Sequence, residues 1–141
     1  MAENRNITWN IKLVIASGVT TRFPINLSGQ GLSWGKFATN PPSQFRVPDG
    51  STEATFSFKA EGASCSATGT EGYANYGTGD SPSNPTTFGF TWDIPYSAAN
   101  SGNVTMVSET NYFDLDNGGG VPVSGNSVSV DVVITQVGPT I

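Results

Sequence analysis

Apolar residues alternate with polar ones along most of this chain, and turn-forming residues interrupt the alternation at short intervals. In Ile7–Ile15 every second residue is large and apolar, and Thr87–Ile94 repeats the pattern with Phe88, Phe90 and Trp92. A period of two residues is typical of strands with one buried face, and no window keeps a helical period for three turns. We therefore predict an all-β fold, an antiparallel β-sandwich of about eight or nine strands.

Turn signals are spread over the whole chain, which contains 17 glycines and 9 prolines among its 141 residues. Gly29–Gly31 is predicted to turn the chain, and Asn117–Gly120 to form a hairpin loop. No internal repeat or change of composition divides the sequence, so residues 1–141 are expected to form a single domain. The predicted strands are Ile7–Ile15, Thr20–Leu27, Leu32–Ala38, Thr52–Lys59, Ser64–Tyr76, Thr87–Ile94, Val104–Ser108, Asn111–Leu115 and Ser127–Val137.

Charged residues are scarce, at 12% of the chain, and the formal net charge is −5. The six lysines and arginines do not cluster along the sequence. Proteins that bind nucleic acids or anionic lipids draw much of their affinity from basic patches. We therefore expect no nucleic-acid partner.

The absence of histidine and the presence of one cysteine, Cys65, limit the available chemistry. Without histidine, Ser-His-Asp and Cys-His relays and almost every zinc site are excluded. The remaining catalytic option is a carboxylate pair, for which Glu71, Asp93, Glu109 and Asp114 are the candidates. We expect these groups to be solvated or turn-capping carboxylates, and so predict no enzymatic activity, no metal site and no cofactor.

Several aromatic residues lie near turns. Trp34 is in a short segment between glycines, Tyr96 follows a strand and a proline, and Tyr73 and Tyr76 lie in the stretch Gly69–Gly77. Exposed aromatics suit membrane interfaces or cages around ammonium groups, although such rings can also plug the end of a sandwich core. Trp92, in the middle of a strong strand pattern, is expected to belong to the core.

Three segments that contain these aromatics resemble motifs of the aegerolysins. They are Ser33–Lys36, Thr68–Tyr73 and Phe90–Ser97, in the same order and at about the same separations as in that family. The run Thr-Gly-Thr-Glu-Gly is similar to the bacterial branch, which is known from two-component insecticidal proteins. The resemblance is best over residues 30–115.

The resemblance implies a β-sandwich that binds membrane lipids, often sphingolipids, and acts with a larger pore-forming protein. Where fungal members have an acidic residue and a lysine, this sequence has Thr68 and Ala99. Glu71 could replace the missing carboxylate. The candidate lipid-binding residues are Trp34, Lys36, Glu71, Tyr73, Asp93 and Tyr96.

The predicted function is therefore the lipid-binding subunit of a two-component cytolytic, haemolytic or insecticidal toxin. Two alternatives are a glycan-binding, lectin-like module, because aromatic platforms also suit sugars, and a structural virion or appendage protein. Residues 1–6 contain no apolar stretch, so we expect no signal peptide. We expect the protein to be cytoplasmic in its producer, to be released, and to act at target-cell membranes.

Because Thr68 and Ala99 lack the charges of the fungal positions, we expect weak binding to ceramide phosphoethanolamine vesicles, measured by co-sedimentation. Tight binding that is abolished by Glu71→Gln would contradict this expectation and would show that Glu71 compensates for the departure.

Overall fold

The computed structural model describes residues 5–63 and 68–140, and within them ten strands form two five-stranded sheets. The strands are β1 (Asn6–Ile15), β2 (Ile25–Trp34), β3 (Lys36–Thr39), β4 (Gln44–Phe45), β5 (Glu53–Glu61), β6 (Thr70–Thr78), β7 (Thr87–Ile94), β8 (Ser101–Val107), β9 (Phe113–Asp116) and β10 (Ser127–Gln136). The first sheet has the order β3-β5-β1-β10-β9 and the second β4-β2-β6-β7-β8. The predicted all-β sandwich is confirmed, with the two-residue β4 as the strand that the sequence did not indicate.

All neighbouring strands named above are antiparallel except β1 and β10, which are parallel and in register over the whole of β1. Ile7 and Trp9 of β1 lie beside Val128 and Val130 of β10, and all four side chains are buried. The alternating residues of both strands face outward, as a period of two requires, and all of them are polar except Val14 and Val133. The first sheet thus presents one continuous apolar face to the second.

Aromatic rings join the two sheets. The ring centroid of Trp9 lies 5.2 Å from that of Phe90 and 6.4 Å from that of Trp92, both on β7 of the opposite sheet. Trp92 is 2% exposed, and its indole Nε1–H donates to the hydroxyl of Thr70 at 3.2 Å. The prediction that Trp92 belongs to the core is confirmed.

The prediction of a turn at Gly29–Gly31 is wrong, because β2 runs through both glycines. Gly31 is the cross-strand partner of Tyr73 on β6, and a Cβ added at Gly31 would lie only 2.8 Å from the Tyr73 ring. An aromatic ring that covers glycines on a neighbouring strand restores the contacts that they lack. Gly31 therefore makes room for Tyr73, and the strand register shifts on either side of the two glycines.

The predicted strand Thr20–Leu27 begins only at Ile25. In the segment before Ile25, the side chain of Gln136 makes the hydrogen bonds that a neighbouring strand would otherwise make. The Phe23 N–H donates to the Gln136 carboxamide oxygen at 3.2 Å, and the Gln136 amide donates to the Thr21 carbonyl at 2.9 Å. Pro24, which has no N–H, separates this segment from the strand.

Within the predicted strand Ser64–Tyr76, residues 64–67 lie outside the described residues, and β6 begins at Thr70. Gly72 does not interrupt β6. A Cβ at Gly72 would lie 2.8 Å from Cζ2 of Trp92, so the absence of a side chain lets the indole pack against the strand.

The predicted hairpin loop at Asn117–Gly120 lies in the connection between the antiparallel strands β9 and β10. The Asp116 carboxylate accepts a hydrogen bond from the Gly118 N–H at 3.0 Å. The Asn117 carboxamide oxygen accepts one from the Gly119 N–H at 2.9 Å. These local bonds are the usual reason for Asp and Asn in turns. Within residues 5–63 and 68–140, no helix is long and apolar enough to span a membrane.

The carboxylate of Asp80 joins the loop between β6 and β7 to the loop between β8 and β9, at the end of the second sheet where β6 ends and β7 begins. Asp80 accepts hydrogen bonds from the hydroxyls of Thr78, Thr86 and Thr110 and from the Thr86 N–H. Burial acts to raise the pKa of Asp80, but the hydrogen bonds from Thr110, Thr78 and Thr86 outweigh it, so the pKa lies below its usual value.

We expect Asp80→Asn to reduce the free energy of unfolding at neutral pH. Because the folded-state pKa of Asp80 is lowered, the carboxylate stabilises the fold above its unfolded-state pKa, and this contribution disappears as the pH falls through the folded-state pKa. The difference between wild type and variant should therefore narrow from neutral pH to about pH 2, as measured by urea unfolding. Thr110→Val, which removes one of the hydrogen bonds, should give a smaller effect with the same pH trend. A difference that is independent of pH would contradict the assignment.

Candidate functional site

A pocket of about 490 Å³ opens at one end of the second sheet, on its outer side. Two aromatic rings, Trp34 and Tyr96, and two carboxylates, Glu71 and Asp93, contribute to its lining, and Thr68 lies beside them. We take this pocket, called the aromatic–acidic pocket below, as the candidate site.

Strand register aligns three of these residues. Trp34 at the end of β2 is the cross-strand partner of Glu71 on β6, and Glu71 is the partner of Asp93 on β7. Trp92 and Ile94 on either side of Asp93 are buried, so the alternation of the strand directs Asp93 outward. The same packing that builds the core therefore places this carboxylate in the pocket.

The backbone conformation of Gly35 explains why the Trp34 side chain is exposed. Gly35 has a φ of +93°, and a Cβ at this position would overlap the Glu61 carbonyl oxygen and the Thr70 side chain. Only glycine fits such a crowded, left-handed conformation. The sharp change of direction ends β2 and leaves the Trp34 side chain 69% exposed, while the chain continues as β3 in the other sheet.

Tyr96 follows β7 after Pro95 and is 50% exposed. Its carbonyl oxygen accepts a hydrogen bond of 2.6 Å from Nη2 of Arg5, and the Arg5 guanidinium lies 5.0 Å from the centre of its ring. Arg5 is not among the site residues that the sequence predicted. It stands 91 residues from Tyr96, and no local pattern marks it.

The two carboxylates of the pocket are cross-strand neighbours on one face of the sheet. Like charges placed directly opposite one another on adjacent strands are destabilising. Among the described residues, the ion pairs are Lys12–Glu53 and Arg46–Asp49, so neither Glu71 nor Asp93 is neutralised by a basic side chain. Unpaired negative charge beside exposed aromatic rings is an arrangement that attracts a cation.

The structure brings four of the six candidate residues, Trp34, Glu71, Asp93 and Tyr96, into one pocket. Lys36 and Tyr73 do not line it. Lys36 begins β3 as the partner of Glu61 in the other sheet, and the Tyr73 ring lies over Gly31 of β2.

The two positions that depart from the fungal pattern are placed differently. Thr68 lines the pocket together with Glu71, and its hydroxyl is shielded from solvent without a hydrogen-bond partner among the described residues. Ala99 is exposed and does not line the pocket. The proximity of Thr68 and Glu71 is compatible with the idea that Glu71 supplies the carboxylate, which stays a prediction.

A second depression, of about 460 Å³, lies on the outer face of the first sheet. Three of its polar side chains are already engaged: the Asn10 amide donates to Ser129 and Asp131, and Lys12 pairs with Glu53 at 3.0 Å. Such mutually satisfied groups leave little to recognise a ligand, in contrast to the unpaired carboxylates of the aromatic–acidic pocket.

No family model and no curated protein matches this sequence. Solved structures share its fold. IP-1A from Alcaligenes faecalis aligns with a TM-score of 0.62 at 19% identity, over 93% of this chain and 91% of its own. The RahU protein, crystallised in complex with Tris, aligns with a TM-score of 0.57 at 16% identity, over 94% of this chain and 97% of its own.

The lipid-binding protein Nakanori aligns with a TM-score of 0.55 at 13% identity, over 92% of this chain and 71% of its own. At identities this low, the likenesses establish a common fold. They are consistent with the aegerolysin fold that the three sequence motifs suggested.

We expect Trp34→Ala and Tyr96→Ala to leave the free energy of unfolding within about 0.5 kcal/mol of wild type, because exposed side chains contribute little to stability. Trp92→Ala should instead lose about 3–5 kcal/mol, as for other large-to-small core substitutions. Thermal and urea unfolding monitored by circular dichroism measures all three. A loss of several kcal/mol for either exposed residue would show that its ring is part of the core.

Proposed function

We propose that this protein binds the head group of a membrane lipid in the aromatic–acidic pocket, as the lipid-binding subunit of a two-component pore-forming toxin. The observation that carries the proposal is the combination of two exposed aromatic rings with two unpaired carboxylates in one pocket. Choline and ethanolamine head groups, including those of sphingolipids, carry the ammonium group that this combination suits.

The exposed rings favour a membrane surface over a small soluble ligand. Trp34 and Tyr96 have no other rings packed against them among the described residues. Tryptophan and tyrosine are enriched at the boundary between head groups and hydrocarbon, where one end of the ring is apolar and the other wet. With a net charge of −5, the protein should prefer zwitterionic to anionic lipids.

The carboxylate pair supports a cationic head group in particular. Glu71 and Asp93 repel each other in the free protein, and a bound ammonium group would relieve that repulsion. The repulsion lowers the free energy of unfolding of the free protein, while the same two charges favour the binding of a cation. This combination is common at functional sites.

Two of the proteins that share the fold agree with this chemistry. Nakanori is described as a lipid-binding protein, and the RahU crystal structure contains Tris, an amine that is largely protonated at neutral pH. Nakanori supports lipid binding at a coarse level, and neither protein shares enough sequence to assign a ligand to this chain.

The two-component part of the proposal rests on how the strands are used. A membrane-spanning β-strand needs about 9–11 residues in a closed barrel. The long strands β1, β2, β5, β6 and β10 already pair within the sandwich, and releasing any two would expose its core. A domain of this size has only about 5–15 kcal/mol of stability. We therefore assign the membrane-spanning strands to a separate, larger protein.

We also infer that the protein is not an enzyme. The sequence has no histidine, and the exposed rings beside Glu71 and Asp93 suit binding without bond cleavage. A glycan-binding role would use the same aromatic surface, so sugars belong in the test.

The proposal is tested by co-sedimentation with vesicles of phosphatidylcholine, sphingomyelin, phosphatidylethanolamine or phosphatidylglycerol, beside a glycan array. We expect binding to one or more of the ammonium-bearing lipids and not to phosphatidylglycerol. The double variant Trp34→Ala/Tyr96→Ala should bind about 10-fold more weakly or worse, since each cation–π contact contributes roughly 0.5–2 kcal/mol.

Glu71→Gln and Asp93→Asn should each weaken vesicle binding roughly three- to fivefold, the range of exposed charge pairs, while slightly raising the free energy of unfolding. Glu109→Gln is the matched control, because Glu109 is exposed and outside the pocket and its substitution removes the same charge. Equal effects of Glu71→Gln and Glu109→Gln, or binding to glycans alone, would refute the lipid site.

We expect the purified protein to bind vesicles without releasing an encapsulated dye. The physical reason is that each of the ten strands in residues 5–63 and 68–140 is already paired in the sandwich, so that none of them is free to span a membrane. Dye-release assays on vesicles of the preferred composition measure this. Robust release by this chain alone, accompanied by ring-shaped oligomers, would overturn the two-component assignment.

A further inference from the structure

Arg5 forms backbone hydrogen bonds that strand pairing does not account for. It immediately precedes β1, yet its N–H donates to the Thr68 carbonyl at 3.1 Å and its carbonyl accepts from the Gly62 N–H at 2.9 Å. Thr68 lines the aromatic–acidic pocket, and so does Ala63, which follows Gly62 in the chain. The backbone of Arg5 thus joins a central strand of the first sheet to one wall of the pocket.

The side chain of Arg5 reaches Tyr96, another lining residue of the pocket. Its Nη2 donates a 2.6 Å hydrogen bond to the Tyr96 carbonyl, and its guanidinium lies 5.0 Å from the centre of the Tyr96 ring. One planar group therefore holds both the main chain and the ring of Tyr96. Lysine could make either contact but not both, since it lacks the planar, forked set of donors.

The strand pairing that fixes the residues of β7 ends at Ile94 and does not extend to Tyr96. Tyr96 lies beyond the end of β7, and the following residues 97–99 are exposed and outside any strand. Among the described residues, the interactions seen for its side chain and carbonyl are those with Arg5. The Nε of Arg5 is shielded from solvent and has no hydrogen-bond partner among the described residues, and charge interactions are screened less where water is excluded.

We infer that Arg5 is a positioning residue of the aromatic–acidic pocket: it holds Tyr96 where its ring can contact a bound ammonium group, without touching that group itself. This inference rests on the proposed function of the pocket. It predicts that Arg5 acts on binding through Tyr96, so that substitutions of the two residues are not additive.

The first arm of the test measures the free protein by NMR, with the Tyr96 ring signals assigned by comparison with Tyr96→Phe. Arg5→Lys should shift these signals. Arg46→Lys is the matched control, because Arg46 pairs with Asp49 at 3.1 Å and does not line the pocket. Unchanged Tyr96 signals in Arg5→Lys would overturn the inference without any reference to lipid.

The second arm measures affinity for phosphatidylcholine and sphingomyelin vesicles. Arg5→Lys and Arg5→Ala should weaken binding about 3- to 10-fold, the range of a cation–π contact, and no more than Tyr96→Ala does. In the Tyr96→Ala background, the same substitutions should have no further effect, as expected for two residues that act as one unit. Arg46→Ala should leave affinity unchanged, although it removes the same charge.

The outcomes distinguish a failure of the positioning role of Arg5 from a failure of the proposed lipid binding. An Arg5 effect that persists in the Tyr96→Ala background would show direct contact with the ligand and refute positioning, as would wild-type affinity in Arg5→Ala. Urea unfolding of each variant identifies loss of folding, and Arg5→Lys provides the folded comparison if Arg5→Ala is unstable. If the wild type binds no vesicles, the proposed function fails, whereas the NMR arm still decides whether Arg5 positions Tyr96.

Discussion

The contact of Trp9 in β1 with Phe90 and Trp92 in β7 is the constraint from which the pocket follows. These rings, with centroids 5.2 and 6.4 Å apart, join the two sheets through the middle of the sandwich. Because side chains alternate along a strand, burying Phe90 and Trp92 sends Asp93 outward, beside Glu71. A slip of one residue would bury the carboxylate and expose the indole, at a large free-energy cost. The aromatic core therefore determines where the acidic half of the pocket lies.

Several features of the pocket work against stability. Among the described residues, Glu71 lies opposite Asp93 without a basic ion-pair partner, Trp34 is largely exposed, and Gly35 adopts a crowded left-handed conformation. The first two are not needed to close the sandwich, whose core lies elsewhere, whereas the turn at Gly35 also carries the chain into the other sheet. Local violations of folding rules that cluster in one place are expected at functional sites. By contrast, the carboxylate of Asp80 at the other end of the sheet is surrounded by donors, as a purely structural acidic group should be.

The alternation of residues predicted most strands to within a few positions, because burial of one face depends only on local spacing. It gave a wrong prediction at Gly29–Gly31, because glycine occurs both in turns and at strand positions where a neighbouring side chain packs closely. Gly31 resembles a turn residue in the sequence, but in the structure it makes room for the ring of Tyr73 from the next strand. The motif resemblance identified Trp34 and Tyr96, which do lie in the pocket, but it also included Lys36, which the turn at Gly35 carries into the other sheet.

By itself, the sequence determined the class of fold, the inward face of the regularly alternating strands β1 and β7, and the absence of histidine chemistry. It determined these because alternation and composition are properties of neighbouring residues. Only the tertiary structure decided that β1 pairs in parallel with β10, that Glu71 meets Asp93, and that Arg5 reaches Tyr96. Such pairings join residues far apart in the chain, and the entropy of closing a loop varies slowly with its length, so local sequence does not select among them. They are selected by the packing of both sheets around one aromatic core.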